Sequence, residues 1–193
     1  MGLFAPEIPL DPGVGGCSIG EGALQMGDII VSTTDAGVSG VIRVGTGSSV
    51  SHAALYDGAG MVIEALGHGV VAHPIATALS DDSLAVVYRA PNLTDTQRRL
   101  AVEWALRQVG TAYSVSGAVL STDKILCRVA GPRPGGFFCS QLVFEAFVQA
   151  GAPLSSLPSQ CVTPADAVTI AAHSLTYVGH LKGSLTRWPI LSP

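Results

Sequence analysis

The sequence predicts an α+β fold in which a central antiparallel sheet packs against helices. Two observations support this fold class: short apolar runs separated by turn sequences fill the region 27–89, and helical patterns dominate much of the chain that follows. A chain of 193 residues is the right size for one domain with a substantial core. We therefore expect a single domain over 1–193, in which the Pro- and Gly-rich residues 1–25 form an irregular lead-in.

The strand predictions begin at 29–31, an apolar run that follows Gly27-Asp28. Strands over 51–56 and 61–66 flank Asp57-Gly58-Ala59-Gly60, whose residues favour a hairpin turn. Further strands of the same sheet are expected over 70–72 and 84–89, with a last one over 178–188. A short helix is expected over 37–46.

The helix predictions rest on start and stop sequences. Thr94 and Gln97 have the spacing of a capping box and begin a helix that reaches Val109. A second helix begins near Cys139 and ends at Gly151, and a third has Thr163 as its N-cap. Between the first two, 110–136 is predicted to be loop-rich and to form the rim of a cleft.

Composition excludes several classes of protein. The net charge is −4 and lysine and arginine are few and scattered, so we expect no nucleic-acid partner. The mean hydropathy of +0.45 is high, but no apolar stretch approaches the ~18 residues of a spanning helix, so no stable membrane anchor is expected. The N-terminus lacks the pattern of a signal peptide, which predicts a protein that is cytoplasmic as synthesised.

The four cysteines have neither C-x-x-C pairing nor the spacing of a metal finger. Disulfides between Cys127 and Cys161 or between Cys17 and Cys127 both remain open. We favour no disulfide, because a chain without a signal peptide is expected to fold in a reducing compartment.

Cys139 is the candidate nucleophile. It stands in the first turn of an amphipathic helix, after the turn-forming Gly135 and Gly136. The positive end of a helix stabilises a thiolate, which is the nucleophilic form of cysteine.

Cysteine catalysis also needs a base and a group that orients that base. His52 is the candidate base. If Tyr56 faces Gly60 across the hairpin, His52 faces Glu64, and any even shift of register keeps both on one face of the sheet. A metal site built from Glu64 with His68 and His73 is the less favoured alternative, because their spacing matches no common ligand motif. We expect no metal and no cofactor.

The order of these motifs resembles a known superfamily. The segments 27–30, 51–56 and 62–65, followed by Phe138-Cys139-Ser140-Gln141, are similar to the circularly permuted branch of the NlpC/P60 papain-like cysteine peptidases. That branch includes YiiX-like peptidases and lecithin:retinol acyltransferase-like enzymes, and a glutamate at position 64 favours the YiiX-like side. The resemblance covers roughly 26–181.

The resemblance implies a permuted papain-like fold and a single catalytic domain. It implies Cys139 as nucleophile, His52 as base and Glu64 as the third polar residue, acting through a thioester acyl-enzyme. The Cys139 backbone N–H would hold the oxyanion, with Tyr56 and Ser140 as candidate support.

The resemblance also implies a substrate class. An amidase or endopeptidase acting on peptides of peptidoglycan is expected first, exported without a signal peptide as an antibacterial effector. Such an effector would need a secretion or immunity partner protein. The alternatives are a lipid acyltransferase or thioesterase/deacylase on the same scaffold, and a non-enzymatic binding or toxin-like module.

Overall fold

The computed structural model describes residues 16–34, 50–130, 135–171 and 175–183. The described chain contains a six-stranded sheet whose neighbouring strands are all antiparallel, in the order β4-β3-β2-β1-β5-β6. The strands are β1 (Ile29–Thr34), β2 (His52–Tyr56), β3 (Met61–Leu66), β4 (Gly69–Pro74), β5 (Asp82–Arg89) and β6 (Thr176–Lys182). The expected α+β class and central antiparallel sheet are confirmed.

Six α-helices are described. They are α1 (Ile75–Ala78), α2 (Asp95–Leu106), α3 (Val115–Leu120), α4 (Lys124–Ala130), α5 (Cys139–Gln149) and α6 (Pro164–Ala171). Two 3-10 turns, Glu21–Ala23 and Ser159–Cys161, complete the described elements. The helix expected over 37–46 lies outside the described residues.

The helix that begins at Thr94 forms, although it ends at Leu106 instead of Val109. Thr94 accepts a bond from the Gln97 backbone, and the Gln97 side chain bonds back to the Thr94 N–H, so both halves of the capping box are present. The prediction that 110–136 is loop-rich is wrong, since α3 and α4 occupy much of it, whereas Thr111, Gly135 and Gly136 do line a cleft. Ser114 caps α3 by accepting a bond from the Gly117 N–H, which offsets the weak helix propensity of this Ser- and Gly-rich sequence.

The sheet has an apolar core on each side. Alternate strand residues such as Ile29, Val31 and Leu55 pack with α2, α5 and α6 in the larger core. The intervening residues, such as Ile30 and Val62, pack with α1 in the smaller one. Helix α5 packs against α2 and against β2 and β3, which positions its first turn near the start of β2.

A buried ion pair ties the start of β1 to the end of β5. Asp28 has no exposed surface, and both of its carboxylate oxygens accept bonds of 2.7 Å from the Arg89 guanidinium. The buried carboxylate is therefore fully paired, as burial of a charge requires. Asp28 therefore has a structural role as the buried partner of Arg89.

Candidate active site

Cys139 is the first residue of α5, after Phe138, which is the extended N-cap residue. The first N–H groups of a helix have no acceptor inside the helix and carry positive partial charge, so they favour negative charge on the Cys139 sulfur. Only 1% of Cys139 is exposed, whereas Cys17, the other free cysteine of the described chain, is exposed.

The segment before α5 is fixed by backbone bonds on both sides. The Phe137 N–H donates to the Ala112 carbonyl at 3.1 Å, and the Ser114 N–H donates to the Phe137 carbonyl at 3.0 Å. Gly136 has a φ of 155°, and a Cβ there would lie 2.2 Å from the Ala112 oxygen. Only glycine permits this approach, which sets the direction from which the chain enters α5.

His52, the first residue of β2, lies between Cys139 and Glu64. Its Nε2 contacts Glu64 Oε2, and Cys139 lies near enough to the same ring to raise its pKa. Burial lowers the pKa of His52, but the bonds and charges of Cys139 and Glu64 outweigh it and hold that pKa well above its ordinary value of 6.5. The site therefore favours the imidazolium form when the sulfur and the carboxylate are charged.

Glu64 is 3% exposed and lies between two imidazoles. Oε2 contacts His52 and Oε1 contacts His73 Nε2 on β4. Burial raises the pKa of Glu64, but the bonds and charges of His52 and then His73 lower it below its ordinary value of 4.5. Glu64 is therefore a charged partner for His52 at neutral pH.

The hairpin register differs from the expected one. Tyr56 pairs with Val62 instead of Gly60. The shift is two residues, so His52 and Glu64 still share a face of the sheet, and side chains diagonally across two strands remain within reach of each other.

Tyr113 is a site residue that the sequence analysis missed. Its backbone forms a parallel bridge with Phe137, two residues before Cys139. Burial and, as the smaller cause, the charge on Cys139 raise the pKa of Tyr113, so its phenol is protonated at neutral pH. No local pattern marks Tyr113, because its proximity to Cys139 depends on the pairing of two loop segments.

The two residues expected to support the oxyanion have other side-chain roles. The Tyr56 hydroxyl accepts a bond of 3.0 Å from the Gly60 N–H in the hairpin turn, and Tyr56 lies about 13 Å along β2 from His52. The Ser140 hydroxyl is buried and donates to the Val162 carbonyl at 2.6 Å. The expectation for Tyr56 is therefore corrected, and the Ser140 side chain anchors the turn before α6.

The expectation of no disulfide is wrong. Cys127 in α4 and Cys161 in the second 3-10 turn are joined. Lys124 reinforces the same junction, since its ammonium donates to the Cys161 carbonyl at 2.6 Å and contacts Asp166 Oδ2. The sequence offered no spacing rule for this pairing, because it depends on how α4 packs.

The metal alternative gains no support. Within the described ranges, no three His, Cys, Asp or Glu side chains are arranged to hold a metal ion. His68 is exposed in the turn between β3 and β4, whereas His73 bonds to Glu64.

In the described part of the chain, no helix has the length and hydropathy of a membrane-spanning segment.

Burial raises the pKa of Asp82 from 3.8 to about 6, although a bond from Ser32 lowers it. Because the folded state binds this proton more tightly, the resulting stability is present below about pH 4 and is lost as the pH rises through about 6. We expect Asp82→Asn to raise the melting temperature at about pH 8 and to change it little at about pH 4. Thermal unfolding at both values tests this, with the exposed Asp81→Asn as control; an equal gain at both would contradict it.

Residues 23–167 match the family of permuted papain-like amidase enzymes, YaeF/YiiX, the C92 peptidase family. The chain belongs to this family. The resemblance seen in the sequence and the permuted papain-like fold are thereby confirmed, and the protein is a cysteine peptidase or amidase-type hydrolase. The alternative of a non-enzymatic module is not supported.

Two relatives illustrate the family. The probable lipoprotein peptidase YaeF of Escherichia coli K12 is 29% identical over 195 residues, which cover 82% of this chain and 71% of YaeF. The crystal structure of metalloprotein YiiX from Escherichia coli O157:H7 superposes with a TM-score of 0.60 at 21% identity, covering 86% of this chain and 98% of YiiX. At 21% identity, the similarity to YiiX is a similarity of fold.

Proposed function

We propose that Cys139, His52 and Glu64 are the catalytic triad of an amidase that hydrolyses peptides of peptidoglycan through a thioester acyl-enzyme. One observation carries the assignment: the His52 ring contacts the Glu64 carboxylate and also lies near enough to Cys139 for that residue to raise its pKa. Nucleophile, base and orienting group are thus connected in the order that cysteine catalysis requires.

The contacts define the role of each atom. Because Nε2 of His52 bonds to Glu64, the other ring nitrogen, Nδ1, is left to take the thiol proton. The sulfur then attacks the amide carbonyl, His52 returns the proton to the leaving amine, and water activated by His52 hydrolyses the thioester. Glu64 holds the ring in the tautomer that keeps Nδ1 free and stabilises the imidazolium.

The oxyanion would be bound at the start of α5. The Cys139 N–H is one of the helix N–H groups without an intrahelical acceptor, and each donor to an oxyanion is worth about 3 kcal/mol. Tyr113 is the second donor that we propose, since its backbone pairs with Phe137 just before Cys139 and its phenol is protonated.

We therefore expect Tyr113→Phe to lower kcat by about 10- to 100-fold with little change in KM, because an oxyanion donor acts mainly in the transition state. Steady-state kinetics of amide hydrolysis test this. Tyr56→Phe is the matched control, since the Tyr56 hydroxyl lies in the hairpin turn. Equal effects of the two substitutions would contradict the role of Tyr113.

Two observations support a substrate outside the cytoplasm. The Cys127–Cys161 disulfide is a bond that persists in oxidising compartments such as the bacterial periplasm. In addition, the relative YaeF is described as a probable lipoprotein peptidase. Peptidoglycan peptides are the amide substrate that bacteria present in that compartment.

Purified sacculi provide the direct test. Wild-type protein should release new muropeptides, with masses that identify the cleaved amide, and Cys139→Ala should release none. Cys17→Ala, which removes the exposed free cysteine, should behave as wild type. Intact sacculi after incubation with folded wild-type protein would refute the peptidoglycan substrate.

The proposed role as an exported antibacterial effector requires a separate test. Directed to the periplasm of a host bacterium, the wild-type protein should arrest growth and Cys139→Ala should not. Arrest by both proteins, or by neither, would contradict the effector role. A secretion or immunity partner follows only if this test succeeds.

One observation favours a second candidate function, that of a lipid acyltransferase or thioesterase/deacylase. Helices α3 and α4, which follow Tyr113 in the chain, carry apolar side chains that are 48–82% exposed: Val115, Val119, Ile125, Leu126 and Val129. Such a patch could receive an acyl chain. Turnover of acyl esters or phospholipids, with no release from sacculi, would favour this function over the first.

A further inference from the structure

The Glu64 carboxylate has a second imidazole partner that the proposed triad does not use. His73 Nε2 contacts Oε1 of Glu64, while His52 Nε2 contacts Oε2. A neutral imidazole has one N–H, so when His52 donates its Nε2–H to Glu64, its Nδ1 is unprotonated. For His52, this is the tautomer that can accept the thiol proton.

The sheet fixes this arrangement. In the register between β3 and β4, Val62 pairs with His73 and Glu64 with Val71, so His73 projects from the same face as Glu64, two residue pairs along. Strand β4 is at the edge of the sheet. The His73 side chain is accordingly 23% exposed, while that of Glu64 is 4% exposed.

We propose that His73 is a positioning residue for the reaction: its Nε2–H holds Oε1 of Glu64, which fixes the carboxylate with Oε2 on His52. Without this donor, Oε1 would be a buried charged oxygen that lacks a partner on that side, which is costly. The carboxylate would then turn or take up a proton, and His52 would lose part of its support.

The electrostatics agree with this geometry. Burial raises the pKa of Glu64, and the bonds and charges of His52 and His73 bring it below its ordinary value. Among the described residues, the other titratable groups that act on the cluster are Cys139 on α5, Asp82 on β5 and, beside Asp82, Lys182 on β6. Removing the His73 donor is therefore expected to let Glu64 become protonated at a higher pH.

The test rests on the proposed triad but needs no substrate. Iodoacetamide alkylates a thiolate, forming an S–C bond as the C–I bond breaks and iodide leaves, so its rate as a function of pH reports the thiolate–imidazolium pair. The measurement uses the full chain with Cys17→Ala, which leaves Cys139 as the free thiol among the described cysteines. Mass spectrometry confirms the modified residue.

Three substitutions at His73 and one control separate the possible roles. His73→Leu removes the donor, His73→Gln places an amide N–H near the position of Nε2, and His73→Asn places one near Nδ1. The control is His68→Leu, which replaces the exposed histidine of the neighbouring turn.

We expect His73→Leu to move the acid limb of the alkylation profile to higher pH by about one unit and to lower kcat about 10-fold with little change in KM. His73→Gln should keep the acid limb near its wild-type pH and kcat within about 3-fold of wild type. His68→Leu should change neither quantity. If His73→Leu fails to fold, the comparison becomes His73→Gln against His73→Asn, and only the former should match wild type.

An alkylation profile that is unchanged in His73→Leu would overturn the inference. If His73→Leu does not fold, equal behaviour of His73→Gln and His73→Asn would overturn it instead. A structural role would lower stability in His73→Leu without moving the acid limb. Failure of the triad itself looks different: the wild-type protein would then show no alkylation in the acid range, and His52→Ala would leave the profile unchanged.

Discussion

Glu64→Gln is expected to lower kcat by about 10²- to 10⁴-fold, because the neutral amide no longer stabilises the His52 imidazolium. The charge of Glu64 is one of the causes that raise the pKa of His52, so its loss lowers that pKa. If the amide –NH₂ faces His52, the ring also adopts the tautomer with a proton on Nδ1, which cannot accept the thiol proton. Steady-state kinetics of amide hydrolysis measure the effect.

The matched control is Glu103→Gln on α2, whose carboxylate is 48% exposed and 3.7 Å from Arg99. This surface pair is worth little, so the variant should keep wild-type kcat and nearly wild-type stability. If Glu64→Gln also retained kcat while its melting temperature fell, Glu64 would be a structural carboxylate and the triad assignment would be wrong.

Removing the Cys127–Cys161 disulfide is expected to have the largest effect on stability. The bond closes a loop with a sequence separation of 34, and the chain-entropy relation gives a loss of about 4 kcal/mol for a loop of that size. Urea unfolding of the Cys127→Ala/Cys161→Ala variant should show a lower midpoint. Wild-type protein with a reductant should show a similar decrease.

Cys17→Ala is the control for cysteine replacement, since Cys17 is exposed and free. Activity should also decrease in the double variant, because Cys161 adjoins Val162, whose carbonyl accepts the bond from Ser140 at the base of α5. A midpoint that is the same with and without reductant would show that the two cysteines are not joined in solution, and it would remove one support for action in an oxidising compartment.

The parts of the fold that could be predicted depend on local chemistry. The Asp57–Gly60 turn, the capping box of Thr94 and the glycines before Cys139 each act over a few residues, so the hairpin, α2 and the start of α5 form near the expected positions. The shared face of His52 and Glu64 was also predictable, because strand alternation tolerates a two-residue error in register.

The parts that were missed depend on contacts between remote segments. Tyr113 reaches the Cys139 region only because its loop pairs with Phe137. Likewise, His73 was grouped with Glu64 only as a candidate metal ligand, since its bond to Oε1 requires the pairing of β3 with β4. Helix α3 was missed because its Ser and Gly content suggests a loop.

The pairing of the Cys139 sulfur with the His52 ring is tested most directly by alkylation of Cys139 in the Cys17→Ala protein. At about pH 6 an ordinary thiol is almost wholly protonated, so rapid modification there requires a thiolate stabilised by an imidazolium. We predict that Cys139 reacts with iodoacetamide at this pH and that His52→Ala lowers the rate at least ~10-fold. Equal rates in the two folded proteins would contradict it.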